Sequence, residues 1–354
     1  MLRFLLKRAW IGILFGLVLI LLPNAWLRSL APVAGDLPTP LPQPTPDPRD
    51  QAYQQGLTLA STDPLTAVSF LDQVAFSDHP MAEEARTLAS AIQAARLADD
   101  EAYLFTAAGQ ALAAIGEWQR SREALVKAVQ LDPEYAEAWA YLGEAQYQNG
   151  EDSFPALQRA LELNPDSVAA QLFNALYWQR QGDFLEANLH FYIASQLDPQ
   201  SPSIYIQWGQ NAMLAGEPVE ARQYFEKAAE LSPDDPAVWR ALARYSIESE
   251  LYVQELGVPA AGRVLIDDPE DVAALVLLGR AHILLGDGQA GQDFLERALG
   301  IDANDPLPHY YLGLYFLAQD NIAAALPHLN QVIALAPDTE EAELAAELIV
   351  QYSQ

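Results

Sequence analysis

PSIYIQWGQNAMLAGEPVEARQYFEKAAELSPDD, residues 202–235, reads as two amphipathic helices joined by a turn and closed by a Leu-Ser-Pro step. Gly216 and Pro218 mark the turn, since a helix C-terminus favours a residue able to take positive φ and proline suits a first helical turn. Pro233 ends the second helix, because proline inside a helix removes a donor and clashes with the preceding turn. Gly209 and Ala228 are small where the two helices must approach, and Trp208 and Phe225 supply the bulk between them.

The closing proline recurs along the chain. Pro133, Pro165, Pro199, Pro233, Pro269 and Pro337 follow a short Leu-x or equivalent step, at spacings of 32, 34, 34, 36 and 68 residues. The last interval is two periods, with Ala303 at the skipped position. A sustained period of 34 is the signature of a helix–turn–helix array. Seven units follow: 102–135, 136–167, 168–201, 202–235, 236–271, 272–305 and 306–339. Gly109, Gly143, Gly209, Gly279 and Gly313 share one position on the first helix, and Ala128, Ala160, Ala194, Ala228 and Ala298 one position on the second. Gly116, Gly150, Gly182, Gly216 and Gly286 fall at the turn.

Two units depart from the period. The second is two residues short around Asp152-Ser153-Phe154-Pro155. The fifth is two residues long and carries Gly257, Pro259 and Gly262 where its second helix runs, so a broken or displaced helix is expected there. Residues 50–101 read as a divergent repeat followed by one more helix, and residues 340–354 as a capping helix with acids in its first turn.

Ala136-Glu137-Ala138-Trp139, Leu142-Gly143 and the closing Leu163-Asn164-Pro165, with Trp208-Gly209, Ala221, Phe225 and Leu231-Ser232-Pro233, resemble the tetratricopeptide repeat family. The resemblance implies an all-α, right-handed α-solenoid whose first helices line a concave groove for proteins or peptides. It places in that groove Leu172, Leu176, Arg180, Ile206, Gln210, Met213, Arg240, Arg244, Ile247, Arg280, Ile283, Tyr310 and Leu314. Arg240 and Arg244, one helical turn apart, resemble the basic half of a carboxylate clamp found in some members. The asparagines such a clamp takes from preceding units are replaced by Leu176 and Gln210. The partner so implied is a segment with apolar side chains and at least one carboxylate. Pairing of these arginines with acids of the chain itself, such as Glu248, is the alternative.

Ahead of the repeats, residues 9–27 are apolar apart from Pro23 and Asn24, long enough to cross a bilayer core of about 30 Å. Arg3, Lys7 and Arg8 precede the stretch and only Arg28 closely follows it. The positive-inside bias therefore predicts a single-pass anchor of bacterial style, with residues 1–8 cytoplasmic and the repeats on the extracytoplasmic side. A cleaved signal peptide is the competing reading, but prolines sit at or beside both available cleavage positions, Ala31 and Ala34. Within the linker 28–49, every second residue from Pro38 to Pro48 is proline, which predicts an extended polyproline II spacer.

The 354 residues hold 48 acidic and 19 basic side chains, a net charge of −29. Residues 1–49 carry five basic residues against two acidic ones, which leaves −32 on residues 50–354. Such a body repels nucleic acid, which is bound by displacing counterions with basic side chains. Cysteine is absent, so thiolate metal sites, disulfides and a cysteine nucleophile are excluded. His79, His190, His282, His309 and His328 stand at no ligand spacing, and no phosphate loop, dinucleotide fingerprint or nucleophile elbow occurs. The expectation is a membrane-tethered, non-enzymatic interaction scaffold without cofactor, metal or small-molecule substrate; a fixed structural subunit of a larger envelope complex is the alternative.

Overall fold

Helical pairs follow one another along the chain, as the 34-residue period requires. The structure is a computed structural model that describes residues 47–352. The expected anchor over 9–27 and the spacer up to residue 46 lie outside the described residues, and among those described no helix is long and apolar enough to cross a membrane. Eighteen α-helices and no strand occur among the described residues. The first pair is α1 (Pro48–Ala60) and α2 (Pro64–Ala75), followed by a single helix α3 (Ala82–Ala95) that ends in a 3-10 turn at Arg96–Ala98. Then come α4 (Glu101–Ala114) with α5 (Trp118–Leu131), α6 (Ala136–Gln148) with α7 (Phe154–Leu163), and α8 (Val168–Arg180) with α9 (Phe184–Leu197). The series continues with α10 (Pro202–Leu214) and α11 (Pro218–Leu231), α12 (Pro236–Glu248) and α13 (Val258–Asp267), and α14 (Val272–Leu284) and α15 (Gly288–Ile301). The last pair is α16 (Pro306–Ala318) and α17 (Ile322–Leu335), closed by α18 (Glu340–Tyr352).

Each helix packs on the next, and each first helix also touches the first helix of the following repeat, from α4 on α6 through to α14 on α16. That connectivity is an all-α solenoid, in which stability is built from neighbouring interfaces rather than one closed core. Within a pair the helices meet where the first has no side chain. A Cβ added to Gly279 would lie 2.5 Å from Leu295 Cγ, and Gly109, Gly143, Gly209 and Gly313 stand in the same way against Leu125, Leu157, Phe225 and Leu329. Gly56 does so against Leu71, so the divergent first pair uses the same lock.

Between repeats, the connecting loop is tied to the next helix by one recurring bond. Trp139 Nε1 donates to the Pro133 carbonyl at 2.9 Å, Gln171 Nε2 to Pro165 at 2.6 Å and Trp239 Nε1 to Pro233 at 2.6 Å. The loop carbonyl, which the ended helix cannot satisfy, thereby finds a donor. Acids account for many helix starts: Asp183, Asp235, Asp271, Asp287 and Asp305 each accept an amide hydrogen bond at the start of α9, α12, α14, α15 and α16. Part of the acidic composition therefore serves the helix ends.

One boundary needs correction, and two repeats show local departures. Pro48, placed by sequence in the extended linker, is the first residue of α1, a position where its missing donor is harmless. The turns of the fifth and seventh repeats lack glycine, and Glu250 and Asp320 take the left-handed conformation there, at φ 58° and 56°. The second helix of the fifth repeat is displaced, one of the two outcomes expected from its sequence. A π-helical turn over Val253–Gly257 absorbs the extra residues before α13 begins. A Cβ on Gly257 would lie 2.8 Å from Ile247 Cγ1, and Ile247 is fully buried.

Candidate binding trough

The first helices of the fourth to seventh repeats line three cavities in series. The first, about 500 Å³, lies between α10 and α12 and is lined by Ile206, Gln210, Met213, Leu214, Arg240, Arg244, Tyr245 and Glu248 among others. The next, about 380 Å³, shares Arg244 and Glu248 with it and adds Val276, Leu277, Arg280 and Tyr311. The third, about 390 Å³, shares Arg280 and Tyr311 and adds Glu250, Ile283, Tyr310, Leu314, Glu340, Glu341 and Leu344. The shared side chains make these cavities one trough. Its walls are mainly aliphatic and tyrosine carbon, with the arginines Arg240, Arg244 and Arg280 and the acids Glu248, Glu250, Asp302, Asp305, Glu340 and Glu341 along them.

Nine of the thirteen residues expected in the groove come together here: Ile206, Gln210, Met213, Arg240, Arg244, Arg280, Ile283, Tyr310 and Leu314. Four do not. Leu172 and Leu176 pack against the buried cluster of Ala175, Ala187, Phe191 and Trp208. Ile247 belongs to the core rather than the trough, because the π-helical turn brings Gly257 onto it. Arg180 lies outside the three cavities and is held by its own chain, donating two 2.7 Å bonds to the Glu144 carboxylate with its guanidinium 3.9 Å from the Tyr147 ring centre. Such a bidentate pair is strong and geometrically fixed.

The fork expected of Arg240 and Arg244 is divided in the same manner. Arg240 donates to Asp271, whose other oxygen caps α14 by accepting from Ala274 N at 2.8 Å. Arg280 stands 3.3 Å from the Tyr311 hydroxyl and 3.9 Å from Glu250. Arg244 is different: its side chain is 55% exposed, and its ion partner Glu248 is 3.8 Å away. Burial, the largest influence, pushes the Glu248 carboxyl up, against the opposing pull of Arg244 and Arg280. Of the trough arginines, Arg244 is thus the one whose guanidinium is open to a ligand carboxylate.

Sequence reasoning missed the contribution of α18, which places Glu340, Glu341 and Leu344 in the third cavity. The acidic start of the capping helix was visible, but its side chains were assigned to the helix dipole alone. It also missed a histidine pair: His309 Nδ1 and His328 Nδ1 are 2.9 Å apart, and His328 stacks on Phe316. Among the described residues no group of His, Asp or Glu is placed to hold a metal ion. Burial holds both imidazoles below their ordinary value, with His309 lowering His328 further and Ala303 and Asp305 opposing the shift at His309. The unfolded chain therefore takes up protons first as pH falls, and stability drops once pH passes below the unfolded value of about 6.5. The denaturation midpoint should fall between about pH 7 and pH 5.5, and a His309→Gln/His328→Gln variant should show a flatter profile. An identical slope in that variant would contradict the assignment.

Three family profiles match the sequence: one described as TPR repeat over residues 109–150, and two as tetratricopeptide repeat over 202–245 and 255–306. A comparison with curated proteins finds no match. Among solved structures, the fold is similar to the anaphase-promoting complex hetero-tetramer Cut9–Hcn1, with TM-score 0.61 and 17% identity, over 84% of this chain and 62% of that one. It is also similar to a tetratricopeptide repeat protein from Parabacteroides merdae, with TM-score 0.55 and 13% identity, over 71% of this chain and 99% of that one. Yeast Tom70 gives TM-score 0.53 and 16% identity, over 88% of this chain and 65% of that one. The chain thus spans just under two thirds of the Cut9–Hcn1 and Tom70 chains it matches. At these identities the likeness is one of fold.

Proposed function

We propose that this solenoid of tetratricopeptide repeats is a membrane-tethered interaction scaffold that takes an extended or helical segment of a partner protein in the trough of its fourth to seventh repeats. The observation that carries the reading is the series of three cavities joined by Arg244 and Arg280. Apolar side chains of the partner fill the first cavity against Ile206, Met213 and Leu214, and a carboxylate is received by Arg244. What the trough offers is apolar carbon, tyrosine rings and, among the acids that line it, one available guanidinium, which is a chemistry of recognition. The net charge of −29 argues against nucleic acid as the partner.

The tether is the apolar stretch over 9–27, joined to the extracytoplasmic repeats by the proline-rich linker that ends before Pro48. Arg3, Lys7 and Arg8 ahead of the stretch support that orientation. Protease added to intact, wall-stripped cells should digest the repeats; protection would contradict the placement.

Peptides selected by display on the full-length, detergent-solubilised chain test the trough. Replacing Arg244 by glutamate should weaken the selected carboxylate-bearing peptides by about 10-fold or more, the range for a hydrogen bond to a charged group. Unchanged affinity would remove Arg244 from the site.

A further inference from the structure

Among the described residues, a guanidinium lies over a tyrosine ring and beside a carboxylate three times. Arg180 stands 3.9 Å from the Tyr147 ring centre and bonds Glu144 at 2.7 Å. Arg222 stands 4.3 Å from Tyr252 and bonds Glu226 at 2.8 Å. Arg280 stands 5.5 Å from Tyr311, with Glu250 3.9 Å away. A cation is drawn to the face of an aromatic ring, and a carboxylate beside the ring adds to the attraction. The third cavity of the trough holds a fourth set of these groups, Tyr310 with Glu340 and Glu341. Among the described residues no cation lies over Tyr310 or pairs with either glutamate.

The start of α18 does not account for both acids. Thr339 Oγ1 accepts from Ala342 N at 3.3 Å, and Glu343, outside the cavity, already places a carboxylate in the same turn. Nor does Arg280 satisfy them, since it is committed to Tyr311 and Glu250. The two tyrosine rings meet edge to face, with centres 5.5 Å apart, so the ring that Arg280 covers and the ring beside the glutamates present different faces. Burial has the largest influence in pushing the Tyr310 phenol up, and Tyr311, Glu341 and Glu340 add to it against Arg280. The glutamates therefore reach that ring electrostatically.

Given a partner segment seated in the trough, the reading on which this one rests, we infer that the third cavity receives a basic side chain, lysine or arginine, of that segment. The cavity, at about 390 Å³, has room for it between Tyr310 and the two glutamates. Charge complementarity then gives the segment a direction. Its carboxylate lies at Arg244 on α12, and its basic side chain lies towards the end of the trough formed by α16 and α18. Turned end for end, the carboxylate would face Glu340 and Glu341 and the base would face Arg244, an arrangement that like charges oppose. The net charge of −29 also favours the approach of a segment that carries a base.

Random peptides displayed against the full-length, detergent-solubilised chain provide the test. The selected set should be enriched in lysine or arginine at a fixed separation from an acidic residue. Replacing the basic residue of a selected peptide by glutamine should weaken binding to the unaltered chain about ten-fold or more. A Glu340→Lys/Glu341→Lys variant should lose affinity for the original peptide to a similar extent. It should also bind the peptide whose base is replaced by glutamate more tightly than the unaltered chain does, a rescue that a misfolded variant could not give. Peptides that depend on Arg244 but show no basic enrichment, or that tolerate the glutamine replacement, would overturn the inference and leave the carboxylate site standing. Peptides indifferent to Arg244→Glu that still require Glu340 and Glu341 would support the basic site and remove the carboxylate site instead.

Discussion

Truncating Phe191 to alanine is expected to destabilise the protein by about 3–5 kcal/mol, the cost of an emptied aromatic site in a packed core. Phe191 is fully buried and shares a cluster with Ala175, Ala187 and Trp208. It occupies in the third repeat the place held by Leu125, Leu157, Phe225, Leu295 and Leu329 elsewhere, so no neighbouring side chain can serve in its stead. The damage should also be local at first, because a solenoid is stabilised by nearest-neighbour interfaces. Amide hydrogen exchange should accelerate in α8, α9 and α10 while α16 and α17 keep their protection. A loss under 1 kcal/mol, or uniform deprotection, would contradict this view of the core.

Filling the helix–helix contact should be nearly as damaging. Gly279→Val puts carbon where Leu295 Cγ would be 2.5 Å and the Gly291 carbonyl 3.1 Å from the new Cβ. Overpacking of that kind costs about 1–3 kcal/mol, and a β-branched residue against backbone belongs at the upper end. Gly262→Ala provides the opposite case. No atom lies within 4 Å of its added Cβ and its φ is not positive, so helix propensity alone should stabilise α13 by about 0.5–1 kcal/mol. Denaturant midpoints of the two variants should move in opposite directions; a shared direction would mean that the close approach is not what fixes glycine at this row.

The period, the glycine rows and the turn positions were legible because they are imposed by backbone geometry that each repeat meets again. Gly116, Gly150, Gly182, Gly216 and Gly286 all take φ between 74° and 84°. Gly56 meets Leu71 in the same way, but its repeat lacks the closing Leu-x-Pro step that would mark the position in the sequence. The groove was legible as a face and less so as a set of available groups. Glu144 bonds Arg180 across 36 residues and Asp271 bonds Arg240 across 31. Both offsets are close to one repeat, so acids one period away were the signal that these guanidiniums were occupied. Ile247 could not be assigned by position alone, because groove and core positions adjoin on a helical wheel. The π-helical turn at Val253–Gly257, which decides the matter, follows from an insertion whose conformation the period does not specify.

Site-specific photocrosslinking in cells is the most direct test of the trough. A photoreactive residue at Leu214, which is 62% exposed and lines the first cavity, should capture a discrete partner protein. The same residue at Leu131, which is exposed on α5 away from the cavities, should not. Combining the Leu214 probe with Arg244→Glu should abolish the adduct. An adduct that forms equally from both positions, or that persists with Arg244 replaced, would contradict a partner seated between α10 and α16.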